Sequence, residues 1–288
     1  MKKTINYWSF PGGLEGKKDV KEAIRDAKRY GFDAIELCFA DEGEISSKTT
    51  KSDCDKLLKE AEKAGIEIGS LASGIYWGYN FGSSKQDDRD KAVKATEKYL
   101  EIAANLNINA ILVVPGAVDV FFNPAAEVVP YDLVYKRSKE AIEKLIPTAE
   151  KYKVCMAIEN VWNRFILSPL EMKDYVDSFK SKYVGVYFDV GNVIPFGYPE
   201  QWIRILKDRI KKVHFKDFRF AAGNGGMTGF VDLLEGDVNW PEVIKALKEI
   251  GYDDCVTAEM VPGYKYYPEV RVKNTSAAMD AILGRKLS

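Results

Sequence analysis

The chain has 288 residues, 46% hydrophobic and 30% charged, with 42 Lys+Arg against 43 Asp+Glu and a formal net charge of −1. That is an ordinary globular composition, and its near-neutral balance offers no field for nucleic acid or an anionic membrane. No apolar run approaches the roughly 20 residues that span a bilayer, so neither nucleic acid nor membrane is expected as a partner. The start, MKKTINYWSFPGG, lacks the apolar stretch of a signal peptide. Cys38, Cys54, Cys155 and Cys255 form no CxxC pair, which fits reduced thiols in a cytoplasmic protein.

Short apolar runs alternate along the chain with amphipathic, Lys/Glu-rich stretches. INYWSF is followed by KKDVKEAIRDAKRYG, where Val20, Ile24 and Ala27 share one helix face and Gly31 signals a stop. DAIELCF precedes SDCDKLLKEAEKAG, with Ser52 the expected N-cap and Gly65 the terminator. IEIGSLA, the loop IYWGYNFGSSKQ and DDRDKAVKATEKYLEIAANL make a third unit. AILVVPG and YDLVYKRSKEAIEKLIPTAEKY make a fourth, in which Pro147 predicts a kink or a restart. VCMAIEN leads into SPLEMKDYVDSFK, where Ser168, Pro169 and Glu171 form a helix start. YVGVYFDVGN pairs with YPEQWIRILKDR. IKKVHFKDF pairs with NWPEVIKALKEIG across the Gly-rich insertion RFAAGNGGMTGFVDLLEGDV. DDCVTAEM with a helix from about Pro268 to Leu283 completes the series. Eight βα pairs without a linker predict an α/β fold, a single (β/α)8 TIM barrel occupying one domain, residues 1–288.

In that fold the C-terminal ends of the strands form the active site. Four successive ends carry Glu159, Asp189, His214 and Glu259, spaced 30, 25 and 45 residues apart, and His214 is the chain's only histidine. One carboxylate after a strand is as readily a helix cap or an ion pair; four such residues in succession point to one site. Three carboxylates and an imidazole, with no thiolate, suit a divalent ion in a catalytic site: Mn²⁺ foremost, with Co²⁺, Mg²⁺ or Zn²⁺ as alternatives. An ion flanked by Glu159 and Glu259 suits proton transfer beside a ketose carbonyl through an enediolate. Inversion at C3 needs two such bases, whereas aldose–ketose isomerisation can use one. A ketose 3-epimerase or sugar(-phosphate) isomerase is therefore expected. A lyase or dehydratase on a keto-sugar or inositol derivative would begin with the same proton abstraction, and a non-catalytic sugar-binding subunit could keep the same barrel.

Glu36, in DAIELCF, either contacts substrate or is a buried group held by lysines. Asn160 and Asn163 follow Glu159 and could bind sugar hydroxyls or serve a turn. Tyr7, Trp8, Trp77 and Phe81 could wall a sugar site or pack in the core, and core is expected for Trp8. AAGNGGMTG could close over a substrate and hold a phosphate through backbone N–H groups, or form a plain surface loop. It lacks the nucleotide pattern GxxxxGK[ST].

AIENVWN, FDVGN, VHFKDFR and EGDVNWPEVIKALKEIGYDD followed by TAE resemble, in this order, the xylose-isomerase-like sugar phosphate isomerase/epimerase superfamily. The resemblance spans essentially the whole chain. That group includes D-tagatose 3-epimerases, L-ribulose/L-xylulose 5-phosphate 3-epimerases, hexulose-6-phosphate isomerase relatives and endonuclease IV. It implies that Glu159, Asp189, His214 and Glu259 are metal ligands and that Glu159 and Glu259 double as the acid/base pair. It also implies that Arg219 contacts substrate oxygens, with Lys216 and Asp217 completing an HxKD signature. Asn192 stands where many of these epimerases carry a histidine, which points to the pentulose- or hexulose-phosphate branch and adds Asn192 to the substrate contacts. The three-zinc site of endonuclease IV needs several histidines, and a single one excludes it. The implied partner is a small-molecule sugar or sugar phosphate. Relatives are often dimers or tetramers, so a homo-oligomer remains open.

Overall fold

The structure, a computed structural model, describes residues 1–220 and 228–286. Eight parallel strands form its barrel: β1 (Lys2–Asn6), β2 (Ala34–Phe39), β3 (Glu67–Ser73), β4 (Ala110–Val113), β5 (Cys155–Glu159), β6 (Val184–Asp189), β7 (Ile210–Phe215) and β10 (Cys255–Ala258). Helices follow them in turn: α1 (Val20–Arg29), α2 (Lys51–Ala64), α3 (Gln86–Asn105), α4 (Tyr131–Tyr152), α5 (Pro169–Asp177), α6 (Pro199–Leu206), α7 (Trp240–Glu249) and α8 (Pro268–Ile282). The closed order β1-β10-β7-β6-β5-β4-β3-β2 is the expected (β/α)8 barrel. Strands such as β4 and β10 are short, fully buried runs because both faces of a parallel barrel are covered, one by the interior layers and one by helices. Every residue of β5, β6 and β10 is buried.

The chain groups into two compact units, residues 1–37, 56–69 and 188–288, and residues 38–55 and 70–187. In the first, Phe215 is fully buried with its ring centroid 4.7 Å from that of Trp240. Each such aromatic contributes roughly 1.5–3 kcal/mol by leaving water. In the second, Tyr175 stacks edge-on with Phe165, Tyr135 and Phe179, and its hydroxyl donates to Ser138 Oγ at 2.8 Å.

Local signals held in most places. Ser168 Oγ accepts from Glu171 N with Pro169 at the first helical position, as the sequence predicts. Two expectations need correction. Thr50, not Ser52, caps α2: Thr50 Oγ1 accepts from Asp53 N while Asp53 Oδ2 accepts from Thr50 N, a reciprocal box two residues earlier. Pro147 does not restart its helix, because α4 runs as one element from Tyr131 to Tyr152. Buried Ala141, Ile142 and Leu145 before the proline and Ala149 after it hold that helix by packing, which outweighs one missing backbone bond. The end of HFKDFR and the Gly-rich insertion also form an antiparallel strand pair that the sequence did not announce. Its strands are β8 (Asp217–Arg219) and β9 (Gly229–Val231), paired antiparallel. Most of AAGNGGMTG, residues 221–227, lies outside the described residues.

At the N-terminal end of β1, Lys3 Nζ donates to Asp280 Oδ1 at 2.6 Å and to Ser276 Oγ at 3.1 Å. Both charged side chains are almost wholly buried, so α8 is tied to β1 by an ion pair that has lost its water. Replacing Asp280 by alanine strands the ammonium and is expected to cost about 3–5 kcal/mol in urea unfolding. A loss below about 1 kcal/mol would show that Lys3 can swing to solvent.

Candidate metal centre

Glu159 is the last residue of β5, Asp189 the last of β6, His214 the second-last of β7, and Glu259 follows β10 directly. Register aligns the last three. His214 pairs with Thr257 across β7 and β10, Glu259 N donates to Phe215 O at 3.2 Å, and Val190 N donates to His214 O at 3.1 Å. Four buried side chains, Glu159, Asp189, His214 and Glu259, each offer a ligand atom, and these atoms all lie within 4.8 Å of one another. The structure thus brings together the quartet named from strand ends.

The electrostatics ask for a cation. Lys216 Nζ lies 2.7 Å from Glu259 Oε2 and 3.2 Å from Asp189 Oδ2, so an ammonium already stands between two of the carboxylates. Burial pushes the Glu259 carboxyl up, but the charges of Lys216 and His214 outweigh it and hold the group down at about 2. Asp189 moves the other way. Burial dominates there and raises it, with Glu259 adding to the rise against the pull of Lys216 and His214. One ammonium therefore does not neutralise the cluster, and the donor set of three carboxylates and an imidazole fits a divalent ion. Replacing Lys216 by methionine removes the competing charge and is expected to tighten divalent-ion binding on the order of 10-fold by titration calorimetry. Tenfold needs only about 1.4 kcal/mol, less than the ~4 kcal/mol between unit charges 4 Å apart at the protein surface. Weaker binding in the variant would show that Lys216 supports the ion instead of opposing it.

The motif residues around the quartet divide between chemistry and scaffold. Gly191 of DVGN is dictated by space: a Cβ there would lie 2.7 Å from Lys216 Cβ and 2.9 Å from its carbonyl oxygen. Asn192 is buried, and its backbone N–H donates to Asp189 Oδ1 at 2.8 Å, a task independent of its side chain. Asp217 of HFKD is fully buried and accepts from Phe218 N, Leu234 N, Val238 N and Trp240 Nε1, so it organises the insertion. Arg219 is exposed, and its guanidinium donates to Glu235 O. Asn163 holds the loop turn: Nδ2 donates to Gly116 O at 2.7 Å and Oδ1 accepts from Phe165 N. Asn160 is buried beside Glu159 in the chain. Trp8 is half-buried where core was expected, Trp77 is half-buried too, and Tyr7 and Phe81 are core.

Glu36 is the residue whose setting differs most from its reading. It is fully buried on β2, accepts from Asn6 Nδ2 at 2.6 Å, and lies 2.7 Å from His214 Nε2. Its contacts include Asn6 and the quartet's imidazole.

The sequence profile of the xylose isomerase-like TIM barrel family matches residues 24–281. The chain belongs to that family. One curated relative is a Haemophilus influenzae protein provisionally named an L-ribulose-5-phosphate 3-epimerase, 25% identical over 244 residues and covering 83% of both chains. Among solved structures, D-psicose 3-epimerase with D-tagatose from Clostridium cellulolyticum H10 superposes with a TM-score of 0.76 at 19% identity, covering 98% of this chain and 99% of its own. Two further members of the fold carry a metal. The IOLI protein with a zinc atom has a TM-score of 0.73 at 17% identity over 99% and 98% of the chains. A Mycobacterium smegmatis xylose isomerase-like TIM barrel protein with magnesium has 0.74 at 15% over 98% and 97%. At these identities the structural matches establish the family's fold.

Proposed function

We propose that the protein is a divalent-metal-dependent ketose or ketose-phosphate 3-epimerase whose residues 1–288 work as one domain. The observation that carries this reading is the buried quartet at four strand ends, whose ligand atoms lie within 4.8 Å of one another. The relative named as a pentulose-phosphate 3-epimerase and the 3-epimerase among the structural neighbours support the reaction class. Glu159, Asp189, His214 and Glu259 would hold the ion, which when bound supplies electrophilic polarisation of the ketose carbonyl.

The chain's own groups carry the proton. Glu259, held ionised by Lys216 and His214, is in the form needed to take a proton from carbon at neutral pH. Glu159, from another strand end, is the partner that returns a proton from the opposite face. Asp189 and His214 bind without exchanging protons with substrate. Lys216 pairs with two of the quartet's carboxylates, and with an ion held by the quartet it would be available to a substrate oxyanion or phosphate.

Hydrogen exchange tests the reading. Held in D₂O with Mg²⁺ and a panel of ketoses and their phosphates, the protein is expected to introduce deuterium at C3 of its substrate while forming the C3 epimer. Entry at C1 or C2 would replace the epimerase by an aldose–ketose isomerase, and loss of a leaving group would replace it by a lyase. Sugar binding with no exchange at any carbon would leave only a binding subunit.

A further inference from the structure

A buried relay runs behind the quartet. Asn6 Oδ1 accepts from Trp8 N at 2.6 Å, which fixes the amide so that Nδ2 donates to Glu36 Oε1, also at 2.6 Å. The same carboxylate oxygen stands 2.7 Å from His214 Nε2. Asn6, Glu36 and His214 are all fully buried, so no solvent competes for these bonds. The other ring nitrogen, Nδ1, faces Glu259 Oε2 at 3.1 Å and Asp189 Oδ2 at 3.9 Å.

An ionised carboxylate can only accept, so the hydrogen between Glu36 and His214 belongs to Nε2. The protonated ring that helps hold Glu259 ionised carries both N–H groups, but a ring that binds an ion is neutral and has a single N–H. With that hydrogen committed to Glu36, Nδ1 turns a lone pair toward the side where Asp189 and Glu259 stand. We infer that Glu36 is a positioning residue that locks His214 as the Nε2–H tautomer and aims Nδ1 at the divalent ion. The inference rests on the metal-centred reading above and gives Glu36 a task other than touching sugar. A hydrogen-bonded carboxylate behind a metal-binding imidazole fixes the ring and raises its basicity, and losing such a partner typically lowers metal affinity 10–100-fold.

The chain's single histidine makes the test direct, because ¹⁵N-histidine labelling yields one imidazole and two ring-nitrogen signals. In the native protein at mildly alkaline pH, Nε2 is expected to carry the proton in both metal-free and Zn²⁺-loaded samples, with Zn²⁺ perturbing Nδ1. Glu36→Leu, which offers no acceptor, is expected to lose the fixed tautomer and to weaken Zn²⁺ and Mn²⁺ binding roughly 10–100-fold by calorimetry, and Glu36→Gln, whose Oε1 can still accept from Nε2–H, to recover part of both. Zn²⁺ on Nε2, a bare Nε2 in the native spectrum, or a Glu36→Leu protein with unchanged tautomer and affinity would overturn the inference. The native spectrum decides the tautomer even if the variants do not fold. A native protein that binds no divalent ion would overturn the aim of Nδ1 and the functional reading alike. A wrong tautomer with normal ion binding would overturn only the role of Glu36.

Discussion

Replacing Glu259 by glutamine is expected to lower epimerisation by on the order of 10²–10⁴-fold, the usual worth of a positioned acid or base, while the fold survives. The amide is nearly isosteric, and the Glu259 backbone bond to Phe215 O does not depend on the side chain. The variant loses the charge that Lys216 and His214 hold in place, and with it the only form that can accept a proton from carbon. Glu159→Gln is expected to fall by a similar factor. The pair can be told apart by running each variant at saturating metal from each C3 epimer. A variant lacking one base should still exchange the C3 proton of the epimer served by the other, without inverting it. Full turnover in either variant, with metal bound, would sink the two-glutamate mechanism.

A second substitution should act through stability. Asp217→Ala removes the acceptor for three backbone N–H groups and the Trp240 indole at once. Each buried donor left unsatisfied costs about 1–3 kcal/mol, and with some rescued by water the sum is on the order of 3–5 kcal/mol. Gly236→Ala should reproduce part of this, because its Cβ would lie 2.0 Å from Asp217 Oδ1. Urea unfolding of both variants checks the loss. Unchanged stability with abolished turnover in Asp217→Ala would mean that this carboxylate acts in the chemistry.

The quartet was legible because a parallel strand announces itself as an apolar run, and Glu159, Asp189, His214 and Glu259 each break such a run at or near its end. Eight repeats of one pattern then gave the barrel. What stayed hidden was pairing over long sequence separations. Glu36 and His214 lie 178 positions apart, and only the folded barrel puts a lone carboxylate in an apolar strand behind a particular imidazole. The HFKD motif was visible as a unit, yet its members do different things: His214 joins the quartet, Lys216 balances charge and Asp217 holds Phe218, Leu234, Val238 and Trp240. Residue type could not separate those tasks, since an aspartate that accepts four hydrogen bonds and one that binds an ion read the same. The caps show the same limit at short range. Serine is the more favoured N-cap type, yet the reciprocal bonds with Asp53 select Thr50 over Ser52.

The order in which the quartet and the partners of its histidine leave the ribosome has a consequence for biogenesis. Asn6 and Glu36 emerge first, Glu259 only when nine-tenths of the chain has been made, and β1 cannot pair with β10 before then. During synthesis the histidine's carboxylate partner is therefore waiting long before the quartet is complete. On the metal-centred reading, an ion cannot template the early steps and should be captured at the end, when the final strand closes the ring. Pulse-labelled chains stalled before residue 255 are expected to show no ion-dependent protection from protease, and chains extended well past α8 to show it.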